Sequence, residues 1–292
     1  MYLLTVSRCV LALLSLLFIA PAASAQDAYV MTVDDLPRLP TVTFALAFHF
    51  VALDDGTNFV TDPQDSLLLA HDGHEKLRAD VLMGYLIREL NGRFRTALLD
   101  MPATKDTRIR FAYLNGAEQP LCSAYFYGSQ DRIAYREDAL NIVFTRYRGQ
   151  RAPSGSTPGV GSNSVYVYNQ LQNYLRGSHD TWTVARVIAH EFGHSRGLDH
   201  TFKCDNPCNG VDLVATDECF GKCTTNNNGS TTAGVNCFGG SARKLIMAYG
   251  AQVHLTPCET ELLWNYLIEH PAAYQTYSGP LPLPRRVVPA PY

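Results

Sequence analysis

The 292-residue sequence predicts an α+β fold, built as one large domain or two modest subdomains, and three observations carry that expectation. Apolar runs rich in β-branched and aromatic residues alternate with segments of helical spacing over the first two thirds of the chain. Cysteines then crowd into a stretch where periodicity fades. A composition of 46% apolar, 17% charged and 11% aromatic residues excludes a disordered chain, a collagen and a coiled coil. With 24 Lys+Arg against 27 Asp+Glu and no block of like charge, nothing points to phosphate-backbone binding, and nucleic acid is not an expected partner.

Residues 1–25, MYLLTVSRCVLALLSLLFIAPAASA, read as a secretory signal peptide: Arg8, an apolar run from Val10 to Ala20, then small residues ending at Ala25. The run stops at Pro21, short of the ~20 residues that span a bilayer. The expectation is a secreted or periplasmic protein with no membrane segment after cleavage. Removing 25 of 292 residues leaves 267, ample for a hydrophobic core. Of the remaining cysteines, Cys122 stands apart, and Cys204, Cys208, Cys219, Cys223, Cys237 and Cys258 fall within 55 positions. In an exported chain this clustering argues for disulfides, and six cysteines allow about 15 pairings that sequence leaves open.

Thr41 to Leu53, TVTFALAFHFVAL, reads as a buried strand in which His49 is a core histidine rather than a ligand. From His74 to Leu99, Leu77, Val81, Tyr85, Leu86, Leu90 and Phe94 recur at helical spacing and predict a long helix packed across a sheet. Arg108–Leu114 and Leu140–Tyr147 are further strands. Residues 151–163, RAPSGSTPGVGSN, are a loop by composition, leading into a strand at 164–168 that is placed to form a cleft edge. Trp182 to Ser195 reads as a helix capped by Asp180 or Thr181, with Val184, Val187, Ile188 and Phe192 inward. Thr256-Pro257-Cys258-Glu259 is a capping box with proline at the first helical position, opening a last helix with Leu262, Leu263, Tyr266 and Leu267 as its apolar face. The ending GPLPLPRRVVPAPY is extended by composition. The expected divisions are therefore 1–25 signal peptide, 26–277 main domain divided near 197/198, and 278–292 Pro-rich tail.

The chemistry is concentrated in residues 190–200, HEFGHSRGLDH. His190 and His194 lie four apart on a helix, about 40° round it and about 6 Å along its axis, so both imidazoles can reach one ion. His200 can join them only if the helix ends in between, and Gly197 stands where the chain must leave it. Three neutral imidazoles make a Zn2+ site with an open fourth position. Glu191 is placed beside it as general base toward a metal-activated water. HExxH alone recurs by chance, but five fixed identities in eleven positions arise on the order of once in 10⁴ to 10⁵ chains of this length.

These residues resemble the metzincin metallopeptidases, whose motif HExxHxxGxxH is followed by a methionine-containing turn. Within that clan the likeness is to the pappalysin and cytophagalysin group, carried by His200-Thr201-Phe202, LIMAYG at 245–250 and LTPCETELLWNYL at 255–267. The resemblance implies a metzincin-like two-subdomain zinc peptidase with a twisted mixed sheet, an active-site helix and a disulfide-rich C-terminal subdomain. It also implies Met247 as the turn beneath the imidazoles, where the plain alternative is ordinary core. Tyr249 would reach the metal or stabilise the oxyanion, or else be a packed aromatic. The region between Cys204 and Cys237 departs from the group's acidic Ca2+-binding loop, although Asp205, Asn206, Asn209, Asp212, Asp217 and Glu218 carry oxygen ligands for a hard cation.

The expected function is a secreted zinc endopeptidase with polypeptide substrates. Two rivals share its zinc site: a non-catalytic binding or adhesion protein of the same fold, and a zinc hydrolase of non-peptide amides. An intact Glu191 favours catalysis, because a site that merely holds metal has no need of an acid there.

Overall fold

The structure is a computed structural model that describes residues 32–52, 68–69, 77–95, 106–114, 123–146, 153–175, 177–200, 223–225, 231–233, 245–248 and 253–278. In chain order the strands are β1 (Val42–Val51), β2 (Leu68–Leu69), β3 (Leu77–Arg78), β4 (Ile109–Tyr113), β5 (Ala124–Tyr127), β6 (Leu140–Thr145), β7 (Gly155–Ser156), β8 (Ser164–Tyr168), β9 (Cys223–Thr225), β10 (Thr231–Ala233) and β11 (Gln275–Tyr277). The α-helices are α1 (Ala79–Arg95), α2 (Gln170–Leu175), α3 (Thr181–Ser195) and α4 (Pro257–Glu269), with a 3₁₀ turn at Val33–Arg38 ahead of β1.

Seven strands form one mixed sheet in the order β11-β1-β6-β8-β7, with β4 and β5 also on β1. The pairings of β1 with β4, β5 and β6 and of β6 with β8 are parallel, whereas β7 on β8 and β11 on β1 are antiparallel. β1 is buried along its whole central stretch because it has neighbours on both sides and side chains covering both faces. This is why it reads as an unbroken apolar run instead of an alternating one.

On the helical face, Phe44 of β1, Phe111 of β4, Phe94 of α1 and Phe192 of α3 make one aromatic cluster, with edge-to-face pairs at centroid distances of 5.0–5.6 Å around Phe192. The cluster seats α3 on the sheet. Arg93 ties α1 to the start of α3, donating to the Trp182 carbonyl at 2.7 Å and lying over the Trp182 ring. On the opposite face, His49 is fully buried, with Nε2 2.8 Å from Asn141 Oδ1 and Nδ1 3.1 Å from the Tyr127 hydroxyl, and stacks on Tyr125. It is a satisfied core histidine.

Several elements differ from expectation. α1 buries Leu82, Met83, Leu86, Leu90 and Phe94 and turns Val81 and Tyr85 outward, so its apolar stripe is rotated from the one the spacing suggested. Part of the 151–163 loop is a strand, β7, because its short glycine- and serine-rich segment finds a partner in β8. The edge of the sheet at that end is therefore β7, and β8 is paired on both sides. α4 carries the expected cap, with Thr256 and Glu259 bonding each other's backbone N–H and Pro257 at the first position. Trp264, which the spacing did not single out, is buried and donates from Nε1 to the Thr107 carbonyl at 2.7 Å. β11 brings the chain back to β1, with Val42 opposite Tyr277.

Candidate metal centre

Asp180 caps α3 by accepting from the Thr183 N–H at 2.7 Å, and the helix runs to Ser195. It then closes in a Schellman arrangement: Leu198 N–H reaches back to the Gly193 carbonyl at 3.0 Å and Gly197 N–H to the His194 carbonyl at 3.1 Å. Gly197 has φ +85°, a left-handed conformation that a side chain would penalise. The reversal carries the chain back toward the helix and returns His200 to the first two histidines.

The three Nε2 atoms form a nearly equilateral triangle: 3.1 Å between His190 and His194, 3.2 Å from His190 to His200 and 3.2 Å from His194 to His200. Tetrahedral zinc with Zn–N bonds of about 2.0–2.1 Å requires nitrogens about 3.3 Å apart. Proton placement agrees with ligation. His190 Nδ1–H donates to the Ile246 carbonyl at 2.7 Å and His194 Nδ1–H to the Leu198 carbonyl at 2.8 Å, which leaves their Nε2 lone pairs facing inward. Burial lowers the His190 pKa to about 3, so that imidazole is neutral at any ordinary pH, as a ligand must be. Facing lone pairs at this separation repel one another unless a cation sits among them, so the donor set fits Zn2+. Among the described residues, this trio is the one group of three or more His, Cys, Asp or Glu side chains able to hold a metal ion.

Glu191 is buried beside the trio, and burial alone raises its carboxyl to about 7. It lines a cavity of about 590 Å³ together with the three histidines, Arg186, Val187 and residues 153–157 around β7. β7 lies so close to α3 that a Cβ on Gly155 would stand 2.6 Å from Val187 Cγ1 and 2.8 Å from Glu191 Cγ. Beneath the helix, Met247 is fully buried with its sulfur against the Cα of Gly193. Its turn, 245–248, is anchored by a bridge between Leu245 and His254 and by Ile246 N–H on the His254 carbonyl at 2.6 Å. The same turn presents the Ile246 carbonyl to His190. Arg196, almost fully buried, closes the far side, donating to the Tyr274 hydroxyl and to the Ser162 carbonyl at 3.1 Å.

His190, His194, His200, Glu191, Gly197 and Met247 are thus brought into one site. Tyr249 and the oxygen-bearing residues 205–218 lie outside the described residues. Cys258 is disulfide-bonded, and Cys122, Cys204, Cys208, Cys219 and Cys237 also lie outside that set. Sequence reasoning missed Gly155, Gly193 and the two orienting carbonyls. Gly193 occupies a variable place inside the HExxH motif, and a carbonyl carries no signal because every residue has one.

Residues 152–256 match the family model Peptidase_M43, described as Pregnancy-associated plasma protein-A. No curated protein matches the chain. Among solved structures, the chain is similar to Tannerella forsythia mature mirolysin in complex with a cleaved peptide, at 16% identity over 76% of this chain and 90% of that one, with a TM-score of 0.43. It is also similar to mirolysin in complex with compound 9, at 15% identity over 80% of this chain and 95% of that one, with a TM-score of 0.46. The histidine trio, its glycine bend and the methionine turn all fall within the matched span, so it is over the residues of the candidate metal centre that the chain is similar to this peptidase family.

Proposed function

We propose that the protein is an exported zinc endopeptidase in which His190, His194 and His200 hold the ion and Glu191 is the general base. The observation that carries this reading is the convergence of three Nε2 atoms, 3.1–3.2 Å apart, on a cavity whose wall also holds a desolvated carboxyl group. When bound, zinc supplies Lewis acidity, acidifying a water and polarising a scissile carbonyl. Glu191 accepts a proton from the attacking water at its carboxylate and delivers it to the departing amine. A carboxyl raised toward neutrality by burial suits a group that must both take and return a proton. Gly197 supplies the bend that makes the third histidine available, Met247 the floor under the helix, and Tyr249 a donor toward developing negative charge.

Substrate main chain lies extended along β7. Ser154 turns its carbonyl to the Tyr168 N–H at 2.9 Å, so strand alternation directs the Gly155 amide and carbonyl away from β8, toward a peptide in the cleft. Export rests on the 1–25 signal pattern, and no helix among the described residues is long and apolar enough to cross a membrane.

The deciding experiment is Glu191→Ala. Zinc content of the purified variant should equal that of the parent, while cleavage of a denatured-protein mixture should fall to the level seen with chelator. Undiminished cleavage removes Glu191 as base, and turnover of amides other than peptides, with peptides untouched, favours the non-peptide hydrolase.

A further inference from the structure

We infer that Arg186 gives the cleft a preference for an acidic substrate side chain within two residues of the scissile bond, an inference that rests on the peptidase reading above. On α3, Arg186 stands four residues before His190, which stands four before His194. The three side chains therefore form one stripe, with Arg186 about 6 Å further along the axis than His190. Arg186 is half-buried and lines the same cavity as the histidines and residues 153–157. An extended peptide advances about 3.3 Å per residue, so a side chain one or two positions from a bond held over the histidines comes level with Arg186.

The charge of the wall decides what that side chain should be. Among the described residues lining the cavity, the ionisable groups are the three histidines, Glu191 and Arg186, and Arg186 is the one with a permanent positive charge. Among the described residues, the carboxylate of Asp180 favours its charged form, and the guanidinium of Arg93 on α1 and the ring of His190 also lie within its electrostatic reach. A guanidinium in a partly desolvated wall binds a carboxylate through two parallel N–H···O bonds and disfavours a cationic side chain at the same place.

The test uses the zinc-loaded full chain and a library of C-terminally amidated peptides, so that the carboxylates on offer are those of side chains. Cleavage products should show Asp and Glu enriched about tenfold over Asn and Gln at one position within two residues of the cut. Arg186→Met should erase that enrichment and Arg186→Glu should replace it with Lys and Arg. A binding readout accompanies it: labelled Glu and Gln twins of the best peptide, titrated onto a Glu191→Gln protein, should differ in affinity in the same direction, and the difference should vanish when Arg186→Met is added. Cleavage with no acidic preference, or a preference unmoved by both substitutions, overturns the inference and leaves the peptidase reading intact. Absence of cleavage by the zinc-loaded parent overturns the reading itself and the inference with it. The parent's own preference is decisive even if one variant fails to fold.

Discussion

Gly155 and Glu191 are in such close apposition that β7 has no room for a side chain above the candidate base: a Cβ at position 155 would lie 2.8 Å from Glu191 Cγ and 3.0 Å from the Tyr166 carbonyl oxygen. The carbonyl belongs to the backbone of β8 and cannot yield without moving the sheet. Gly155→Ala should therefore push Glu191 and the cleft wall apart. Misplacement on the order of 1 Å costs about 100-fold in rate, and a loss of about 10- to 100-fold in kcat/KM is expected, with zinc content unchanged. Steady-state kinetics beside metal analysis checks it, and parental kinetics would show that the wall adapts freely.

Met247 and Gly193 form the second close apposition, on the opposite side of α3. Replacing glycine by alanine inside a helix ordinarily adds about 1 kcal/mol of stability. Here the new methyl group meets the Met247 sulfur in a fully buried floor, and overpacking costs about 1–3 kcal/mol. The second effect should win, so Gly193→Ala lowers the melting temperature. Met247→Ala alone should cost about 2–5 kcal/mol by opening a cavity. The two substitutions together should cost less than their sum, because the added methyl enters the vacated space. Calorimetric melting of the four proteins reads the coupling, and simple additivity would contradict the contact.

Ion removal should be visible in stability. A ligand that binds the native state alone at about 1,000 times its dissociation constant stabilises by about 4 kcal/mol. Zinc added to chelator-treated protein should therefore raise the melting temperature, and His194→Ala should abolish most of that rise, since the Leu198 carbonyl orients this ring as a preset donor. An unchanged zinc response in the variant would mean that the ion sits elsewhere.

Acid should weaken the fold through a residue far from the metal. Burial lowers the His49 pKa from 6.5 to about 4. The unfolded chain therefore takes up a proton near pH 6.5 that the native state refuses until about pH 4. Stability from this group is fully present above pH 6.5 and is lost as pH falls through that window. Between pH 7 and pH 5 the loss amounts to about 2 kcal/mol. His49→Gln, which cannot ionise, should flatten this part of the profile, and denaturant melts at the two pH values measure the difference. A variant with the parent's slope would assign the acid sensitivity to other groups.

Much of the fold and of the candidate site was legible in advance where the signal was local. β8 and α3 fall where alternation and helical spacing put them, and the capping box of α4 is present as Thr256 and Glu259 imply. What misled was geometry that depends on partners. Val81 and Tyr85 fit a helical stripe, yet α1 is rotated so that Leu82 and Met83 face inward. Residues 155–156 have the composition of a loop, and they become a strand because β8 offers an open edge.

The sequence by itself determined the donor types, their helical stripe and the glycine bend that lets His200 turn back, because spacing along a helix and tolerance of positive φ are properties of short segments. Tertiary structure alone decided which carbonyls hold the imidazoles and which strand walls the cleft. It likewise decided where glycine is required for want of space. The Ile246 carbonyl meets His190 across 56 positions of chain, and Gly155 meets Glu191 across 36. Such distant meetings are set by how a whole sheet and its helices pack, and a backbone oxygen or a missing side chain leaves no mark in sequence to announce them.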